Sequence, residues 1–361
     1  MENYTPGIGV VAGSLMLKWD LMDAHILKHD IHLQAGDDIN VFINFESVIR
    51  NLSMQKGING AITFHKQRFV IELESAILNL MASYRAYFKR LKCNPRMFFY
   101  YTSLDSEKQR MKVYNKYYRD YYRNRYMQNP SFNAMGQLLI NTIIPEIQLI
   151  LSYLPGCYFI TADTFDGSII PMVVASMEPR KNIIISGDVF DTLYMLDPNF
   201  CDVYIKRRFS IFSVTSDIQS TIPTIIKDES ITDLNLFRTE LYYRLLLSIK
   251  GSKIRNIASA KGFGYGRFLK IIKQGIESGQ LLSDFESIDS IIQLFPERYR
   301  DDIKLAFQCT SIDTQFEMLP EADITGVQSQ IIDRSDMESV YALNNQRFLE
   351  FPINLIALTQ Q

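Results

Sequence analysis

Val41-Phe-Ile-Asn-Phe45 and three similar runs decide the fold class of this chain. The other three are Met97-Phe-Phe-Tyr-Tyr101, Tyr158-Phe-Ile-Thr161 and Asn182-Ile-Ile-Ile-Ser186. Each run is short and rich in β-branched or aromatic residues, which favours a strand. Because the apolar residues follow one another without alternation, we expect strands that are buried on both faces, as in a parallel sheet.

Segments with helical periodicity separate and follow these runs. The predicted helices are 68–91, 137–153 and 167–177, then 233–249, 264–278, 284–295 and 298–309, and short strands are expected at 203–205 and 209–212. Strands that alternate with helices predict an α/β fold with a mainly parallel central sheet flanked by helices. The predicted divisions are an N-terminal arm (1–39), an α/β domain (40–215) that includes a basic arch (104–128), a helical region (230–312) and a C-terminal extension (313–361). The extension ends in an apolar stretch, which is expected to dock on the body or on a partner.

Composition excludes several classes of protein. The 361 residues are 47% hydrophobic and 22% charged, which is ordinary globular composition. No apolar run approaches the roughly 18 residues needed to span a bilayer, and no secretory signal is expected. The four cysteines lack Cys-x-x-Cys spacing, so a reducing cytoplasm fits better than a disulfide framework or a zinc site.

Charge is segregated along the chain, although the net charge is only −2. Residues 107–126 carry seven Lys or Arg and two acids, and residues 250–273 carry seven Lys or Arg and no acid. Those segments contribute +5 and +7, so the rest of the chain sums to −14. Two cationic surfaces on an acidic body favour nucleic-acid binding, and the alternative is two solvated helix faces.

The segment Lys250–Gly264, KGSKIRNIASAKGFG, carries the most informative pattern. It resembles the helix–hairpin–helix region of the 5′-nuclease superfamily, which includes flap endonucleases and bacteriophage RNase H. In that family Gly-Asp-x-x-Asp-Asn-(Ile/Val) precedes a Gly-x-Gly hairpin. The residues that match are Gly251, Asn256, Ile257, Gly262 and Gly264.

Upstream segments follow the order of the same family, so the resemblance covers about residues 40–315. Residues 42–45 and 98–102 lie at its first two strands, and 117–125 resembles the basic, Tyr-rich arch of the phage enzymes. Residues 164–170 and 184–188 lie at its next two acidic motifs. The resemblance implies a flap endonuclease-like (PIN-like) fold and a phage or phage-like replication context.

These nucleases hydrolyse a phosphodiester with two divalent metals held by carboxylates, and most of the matching positions here lack a carboxylate. The degenerate positions are Asn44, Thr102, Thr164, Gly167, Phe190, Ser252 and Arg255. Asp166 and Asp188 remain, and the nearby acids that could substitute are Glu46, Asp163 and Asp191. The resemblance therefore implies no resident cofactor, or a single weakly held Mg²⁺.

The residues that bind DNA in such a fold are retained. A Gly-x-Gly hairpin exposes backbone N–H groups to a phosphate, and lysines add contacts that release counterions. The candidates are Lys253, Lys261, Gly262, Gly264, Gly266, Arg267, Lys270 and Lys273 in the hairpin region, and Lys116, Arg119, Arg123 and Arg125 in the arch. Tyrosines interleaved with the arch cations suit single-stranded DNA, and alternatively they pack the arch onto the body.

Together these features predict a DNA-binding nuclease homologue that has lost catalysis and that recognises branched or forked DNA in replication or recombination. The first alternative is an active Mg²⁺-dependent 5′→3′ exonuclease or RNase H with relocated ligands. The second is a structural scaffold that reuses the fold. The expected partners are DNA junctions and replication proteins, with no membrane, and the expected location is the cytoplasm, that of the host if the protein is phage-encoded.

Overall fold

The computed structural model describes most of the α/β region and much of the helical region. The described residues are 19, 22–23, 33–53, 66–102, 135–187, 191, 194, 200–206, 210–213, 239–250, 260, 262–278, 288–310, 312–317, 319–333, 336–348 and 358. The predicted arch at 104–128 and the predicted helix start at 233–238 lie outside them.

A six-stranded sheet forms the centre of the protein. Its strands are β1 (Asp38–Asn44), β2 (Asn94–Thr102), β3 (Cys157–Ala162), β4 (Lys181–Ser186), β5 (Val203–Lys206) and β6 (Ser210–Ser213). Their order is β3-β2-β1-β4-β5-β6. The pairs among β1 to β5 are parallel, and β6 is antiparallel to β5. The prediction of an α/β fold with a mainly parallel central sheet flanked by helices is confirmed.

Alternation along the strands divides the interior into two apolar clusters, one on each face of the sheet. In β1, Val41 and Ile43 belong to the first cluster, whereas Phe42 belongs to the second. In β2, Phe99 belongs to the first cluster, whereas Phe98 lies in the second and stacks on Phe42 with ring centroids 5.1 Å apart. Because both faces are covered, the strands lack the apolar–polar alternation of a half-exposed sheet.

Helices cover both faces of the sheet. They are α1 (Phe45–Ser53), α2 (Lys66–Arg90), α3 (Ile144–Leu151), α4 (Ile170–Ala175), α5 (Thr239–Lys250), α6 (Tyr265–Glu277), α7 (Ile288–Ile292), α8 (Glu297–Thr310), α9 (Ile312–Glu317), α10 (Glu321–Gln328) and α11 (Met337–Arg347). A π-helical turn, Leu139–Ile143, precedes α3, and a 3-10 turn, Gly167–Ile169, precedes α4. Among the described residues, no helix is long and apolar enough to cross a membrane.

The helical region packs on the sheet rather than forming a core of its own. Leu245, Phe268 and Ile303, from α5, α6 and α8, are fully buried in the same apolar cluster as Phe42 and Phe98. This packing fixes the position of residues 262–264, which precede α6, relative to the strands.

The C-terminal part is more regular than its weak sequence pattern indicates, because it contains α10 and α11. Val340, Phe348 and Leu358 are buried in the first cluster, together with α2. Of the two expectations for the apolar end of the chain, docking on the body is therefore observed for these residues. In the N-terminal arm, Met22 is buried in the same cluster, and β1 begins at Asp38, just before the predicted boundary at residue 40.

Candidate functional site

A buried carboxylate, Asp191, lies at the carboxyl-terminal edge of the sheet and is fully shielded from solvent. Its Oδ2 accepts hydrogen bonds from the Asn44 amide at the end of β1, from the Tyr100 hydroxyl (2.8 Å) in β2 and from the Ser186 hydroxyl (2.6 Å) at the end of β4. Three adjacent strands thus contribute one donor each, because the carboxyl ends of parallel strands meet at one edge.

Further hydrogen bonds hold Asn44 and Ser186 in place. The Asn44 Oδ1 accepts from the Ser47 backbone N–H at 2.8 Å, so the amide nitrogen faces Asp191. The Ser47 and Ser186 hydroxyl oxygens lie 3.3 Å apart, and the Gly187 N–H donates to the Ser47 Oγ at 3.0 Å. We call these five residues, Asn44, Ser47, Tyr100, Ser186 and Asp191, the Asp191 cluster.

Asp166 is a second buried acid near this edge, where it caps the 3-10 turn that follows β3. Its Oδ1 accepts from the Ser168 N–H at 3.0 Å. The buried Tyr194 hydroxyl donates to the Ser168 carbonyl oxygen. Burial, followed by the negative charge of Asp191 and to a lesser extent that of Asp166, holds the pKa of Tyr194 well above its usual value. The negative charges of both carboxylates therefore disfavour ionisation of the Tyr194 hydroxyl, which remains a neutral donor.

The donors to Asp191 Oδ2 are neutral N–H and O–H groups. A divalent metal needs lone pairs of oxygens from several ligands, and its charge is usually balanced by more than one carboxylate. Within the residues that the structure describes, no group of three or more His, Cys, Asp or Glu side chains could hold a metal ion. The chemistry of the Asp191 cluster therefore suits a hydrogen-bonded carboxylate better than a centre with two metal ions.

The structure brings two of the predicted metal and catalytic positions into direct contact with each other. Asn44 and the proposed substitute Asp191 meet through a hydrogen bond. Of the other proposed substitutes, Glu46 is buried in α1 and Asp163 is exposed beside Thr164. Thr102 ends β2, and Gly167 begins the 3-10 turn behind Asp166. The remaining positions, Asp188, Phe190, Ser252 and Arg255, lie outside the described residues.

Sequence reasoning missed Tyr100, Ser47 and Ser186. Tyr100 is the register partner of Asn44 across β1 and β2, so its side chain lies on the same face of the sheet, beside the amide. Thr102 has the same parity but lies two residues beyond the end of β1. The alternation of side chains along β2 could have indicated that Tyr100 and Thr102 share a face. Only the register between β1 and β2 shows that Tyr100 is the one beside Asn44.

The candidate DNA interface begins with a glycine turn before α6. Gly262 has φ +76°, a left-handed conformation that glycine adopts without strain. Gly262, Gly264 and Gly266 are all exposed, and the Gly264 carbonyl accepts from Phe268 N–H at 3.2 Å, which closes the first turn of the helix. The backbone amides at the start of α6 therefore face an open surface.

Cations lie on the exposed face of α6. Arg267, Lys270 and Lys273 are exposed, whereas Phe268 and Ile272 on the opposite face are buried. We call the exposed residues Gly262, Gly264, Gly266, Arg267, Lys270 and Lys273 the hairpin surface. The other predicted DNA contacts, Lys253, Lys261, Lys116, Arg119, Arg123 and Arg125, lie outside the described residues.

No protein-family model matches this chain, and no curated protein matches it either. Solved structures similar to it include a pseudo-enzyme–product complex of a bacteriophage T5 flap endonuclease with DNA and metal ions, at 10% identity and TM-score 0.45, over 81% of this chain and 98% of that one. Zinc-bound T5 5′-exonuclease gives 10% identity and TM-score 0.46 over the same shares. The catalytic core of Rad2 with a DNA substrate gives 13% identity and TM-score 0.37, over 90% of this chain and 93% of that one.

Proposed function

We propose that this chain is a DNA-binding member of the 5′-nuclease superfamily that recognises branched or forked DNA without cutting it. The observation that carries the loss of catalysis is the Asn44 amide, which donates to Asp191 where the family resemblance calls for a metal-binding aspartate. An amide N–H occupies the oxygen that a metal would need, and it brings no negative charge to balance one.

The Asp191 cluster already surrounds one carboxylate oxygen with protein donors. Three hydrogen bonds to a charged acceptor satisfy Asp191 Oδ2, and hydrogen bonds to charged groups are stronger than those between neutral groups. A metal at this oxygen would have to displace donors from three strands. This cost, added to the missing ligands, favours a non-cutting protein over an enzyme with relocated ligands.

The hairpin surface supports DNA as the partner. Its exposed glycines allow close approach of a phosphate to the backbone, and its three exposed cations lie on one side of α6. Each phosphate neutralised by a cation contributes a slope of about −0.9 to the dependence of log K on log salt concentration for duplex DNA. The hairpin surface alone therefore accounts for a slope of up to about −3.

The test is a titration of labelled 5′-flap DNA with the protein in Mg²⁺, resolved on native and denaturing gels. The proposal predicts a shifted but intact strand and binding that weakens as salt rises. Shortened strands that persist in wild type and disappear in both Asp191→Asn and Asp166→Asn would establish the active nuclease instead. Absence of salt-sensitive binding would favour the scaffold, with partners such as replication proteins.

A matched pair of variants tests the hairpin surface. Lys270→Gln should weaken binding to all flap sequences and reduce the salt slope by about 1, because a phosphate contact is lost. Lys66→Gln removes the same charge from an exposed position at the start of α2 and should leave binding unchanged. Equal losses in the two variants would mean that binding depends on overall charge rather than on this surface.

A further inference from the structure

A cleft of about 660 Å³ lies at the opposite edge of the sheet from the Asp191 cluster. It is lined by the first residues of β1 and β2, by the turn that precedes β3 and by the last turns of α2. Because β1 has seven residues, roughly 20 Å separates the two edges. The cleft is therefore a different site from the Asp191 cluster, and it is distinct from the hairpin surface.

The acids that line the cleft already have partners. Glu178 accepts from Arg96 at 3.0 Å and from Arg180 at 2.9 Å. Asp333 accepts from the Tyr158 hydroxyl and, at 3.3 Å, from the Gly156 N–H. Asp38, the third acid of the lining, lies 3.8 Å from Arg180. None of the three acids forms a described ion pair with the cations of α2.

Arg85 brings a buried positive charge to the α2 side, with a side chain only 5% exposed. Its Nη1 donates to the carbonyl oxygens of Pro155 (3.0 Å) and Leu358 and lies 3.1 Å from the Cys157 sulfur. Its Nε is buried and has no hydrogen-bond partner. Arg85 thus contacts neutral acceptors, and no carboxylate among the described residues forms an ion pair with it.

Lys89 lies one helical turn beyond Arg85, so the two cations share a face of α2. Its Nζ is buried and has no hydrogen-bond partner. Burial, together with the adjacent charge of Arg85, lowers the pKa of Lys89. Two neighbouring cations that form no ion pair are costly in a protein interior, and a bound anion lowers that cost.

We propose that Arg85 and Lys89 form a binding site for a phosphate dianion, either inorganic phosphate or the terminal phosphate of a small nucleotide. The dianion would supply an ion pair to each of these two cations, which form none with the acids of the lining among the described residues. The unpartnered Arg85 Nε supplies a directed donor, and rotation about the four-carbon chain of Lys89 brings its ammonium into the cleft. A cleft of this volume is in the range that holds a mononucleotide.

The chemistry separates this site from the proposed DNA interface. Backbone phosphodiesters carry one negative charge each, whereas two buried cations favour a group with two. The site is also recessed beside α2, unlike the exposed cations of α6. Binding of phosphate and binding of DNA are therefore expected to be lost in different variants.

The test is calorimetric titration of the full chain at constant ionic strength with three ligands: inorganic phosphate, a nucleoside monophosphate and a dinucleoside phosphodiester. Saturable binding of either of the first two, at least tenfold tighter than the diester, supports the proposal. The tighter of the two identifies the source of the phosphoryl group. Failure of both to bind saturably overturns it.

Lys89→Met is the informative variant because it breaks no described hydrogen bond of the fold. It should weaken binding of the dianion at least tenfold. The control is Lys92→Met, which removes the same charge from a position three residues further along the chain. The Lys92 side chain is exposed and does not line the cleft. Equal affinity in Lys89→Met and wild type, or an equal loss in both variants, would refute the site.

Discussion

Glu74 offers a direct test of how burial and pairing compete in this fold. The side chain is fully buried in α2, and its carboxylate accepts from Arg347 of α11, with Nε at 3.1 Å and Nη2 at 3.0 Å. Arg347 also pairs with Glu146 of α3. Burial outweighs the attraction of Arg347 and raises the pKa of Glu74 from 4.5 to about 7.

The direction of the pH effect follows from that pKa. Because the folded state holds the Glu74 proton more tightly than the unfolded chain, this group stabilises the fold fully below about pH 4.5. The stabilisation is lost as pH rises to about 7. At 1.36 kcal/mol for each unit, the loss across this interval is about 3 kcal/mol.

The perturbation is Glu74→Gln, which preserves the shape of the side chain and removes its titration. The free energy of unfolding is measured with urea at a series of pH values between 4.5 and 8. We expect its decrease over this range to be about 3 kcal/mol smaller in the variant than in wild type. Glu146→Gln is the matched control, since it removes the other carboxylate on Arg347 from a partly exposed position. A pH dependence in Glu74→Gln that parallels wild type would refute the reasoning.

Three further predictions follow from the structure. Arg347→Met should cost about 3–5 kcal/mol at pH 8 and less at pH 5, by urea unfolding, because it leaves the Glu74 charge buried alone. Tyr100→Phe should cost about 1–3 kcal/mol in thermal unfolding, because it removes a donor from the buried Asp191; a neutral result would contradict the hydrogen bond. Gly262→Ala should cost about 1–2 kcal/mol through its positive φ, whereas Gly266→Ala, in α6 with open space at its Cβ, should not destabilise the protein.

The strands could be predicted from the sequence because burial on both faces leaves a continuous apolar run. Ile183, Ile184 and Ile185 show this most clearly, since successive side chains enter opposite apolar clusters. The longer helices were also predictable: 68–91 is observed as Lys66–Arg90 and 264–278 as Tyr265–Glu277. Their periodicity reflects one buried face, which depends on local spacing.

The shorter helices deviate where local sequence competes with packing. The predicted helix 167–177 is observed as a 3-10 turn followed by Ile170–Ala175, because Asp166 caps the turn and Pro171 suits the start of a helix rather than its interior. The predicted helix 284–295 is described only as Ile288–Ile292, and residues 279–287 lie outside the described chain.

The candidate site was less predictable because its contacts join distant parts of the chain. Asn44 and Asp191 are separated by 147 positions, and only the pairing of β1 with β4 brings their elements together. The motif comparison named both residues but assigned them separate roles, one as a lost ligand and one as a substitute. Their hydrogen bond depends on the register and on the position of Asp191 after β4, which no local pattern encodes.

The Asn44–Asp191 pair also shows how a buried carboxylate can be held without a second acid beside it. Two carboxylates held at this distance would repel each other, so one would remain protonated or a cation would be required between them. An amide at one position converts the repulsion into a hydrogen bond, and Tyr100 and Ser186 supply the remaining donors from adjacent strands. The single buried charge is then stabilised by fixed dipoles of the protein. On this reasoning Asn44 stabilises the fold at this edge of the sheet, because its amide donates to a buried carboxylate that a second acid would repel.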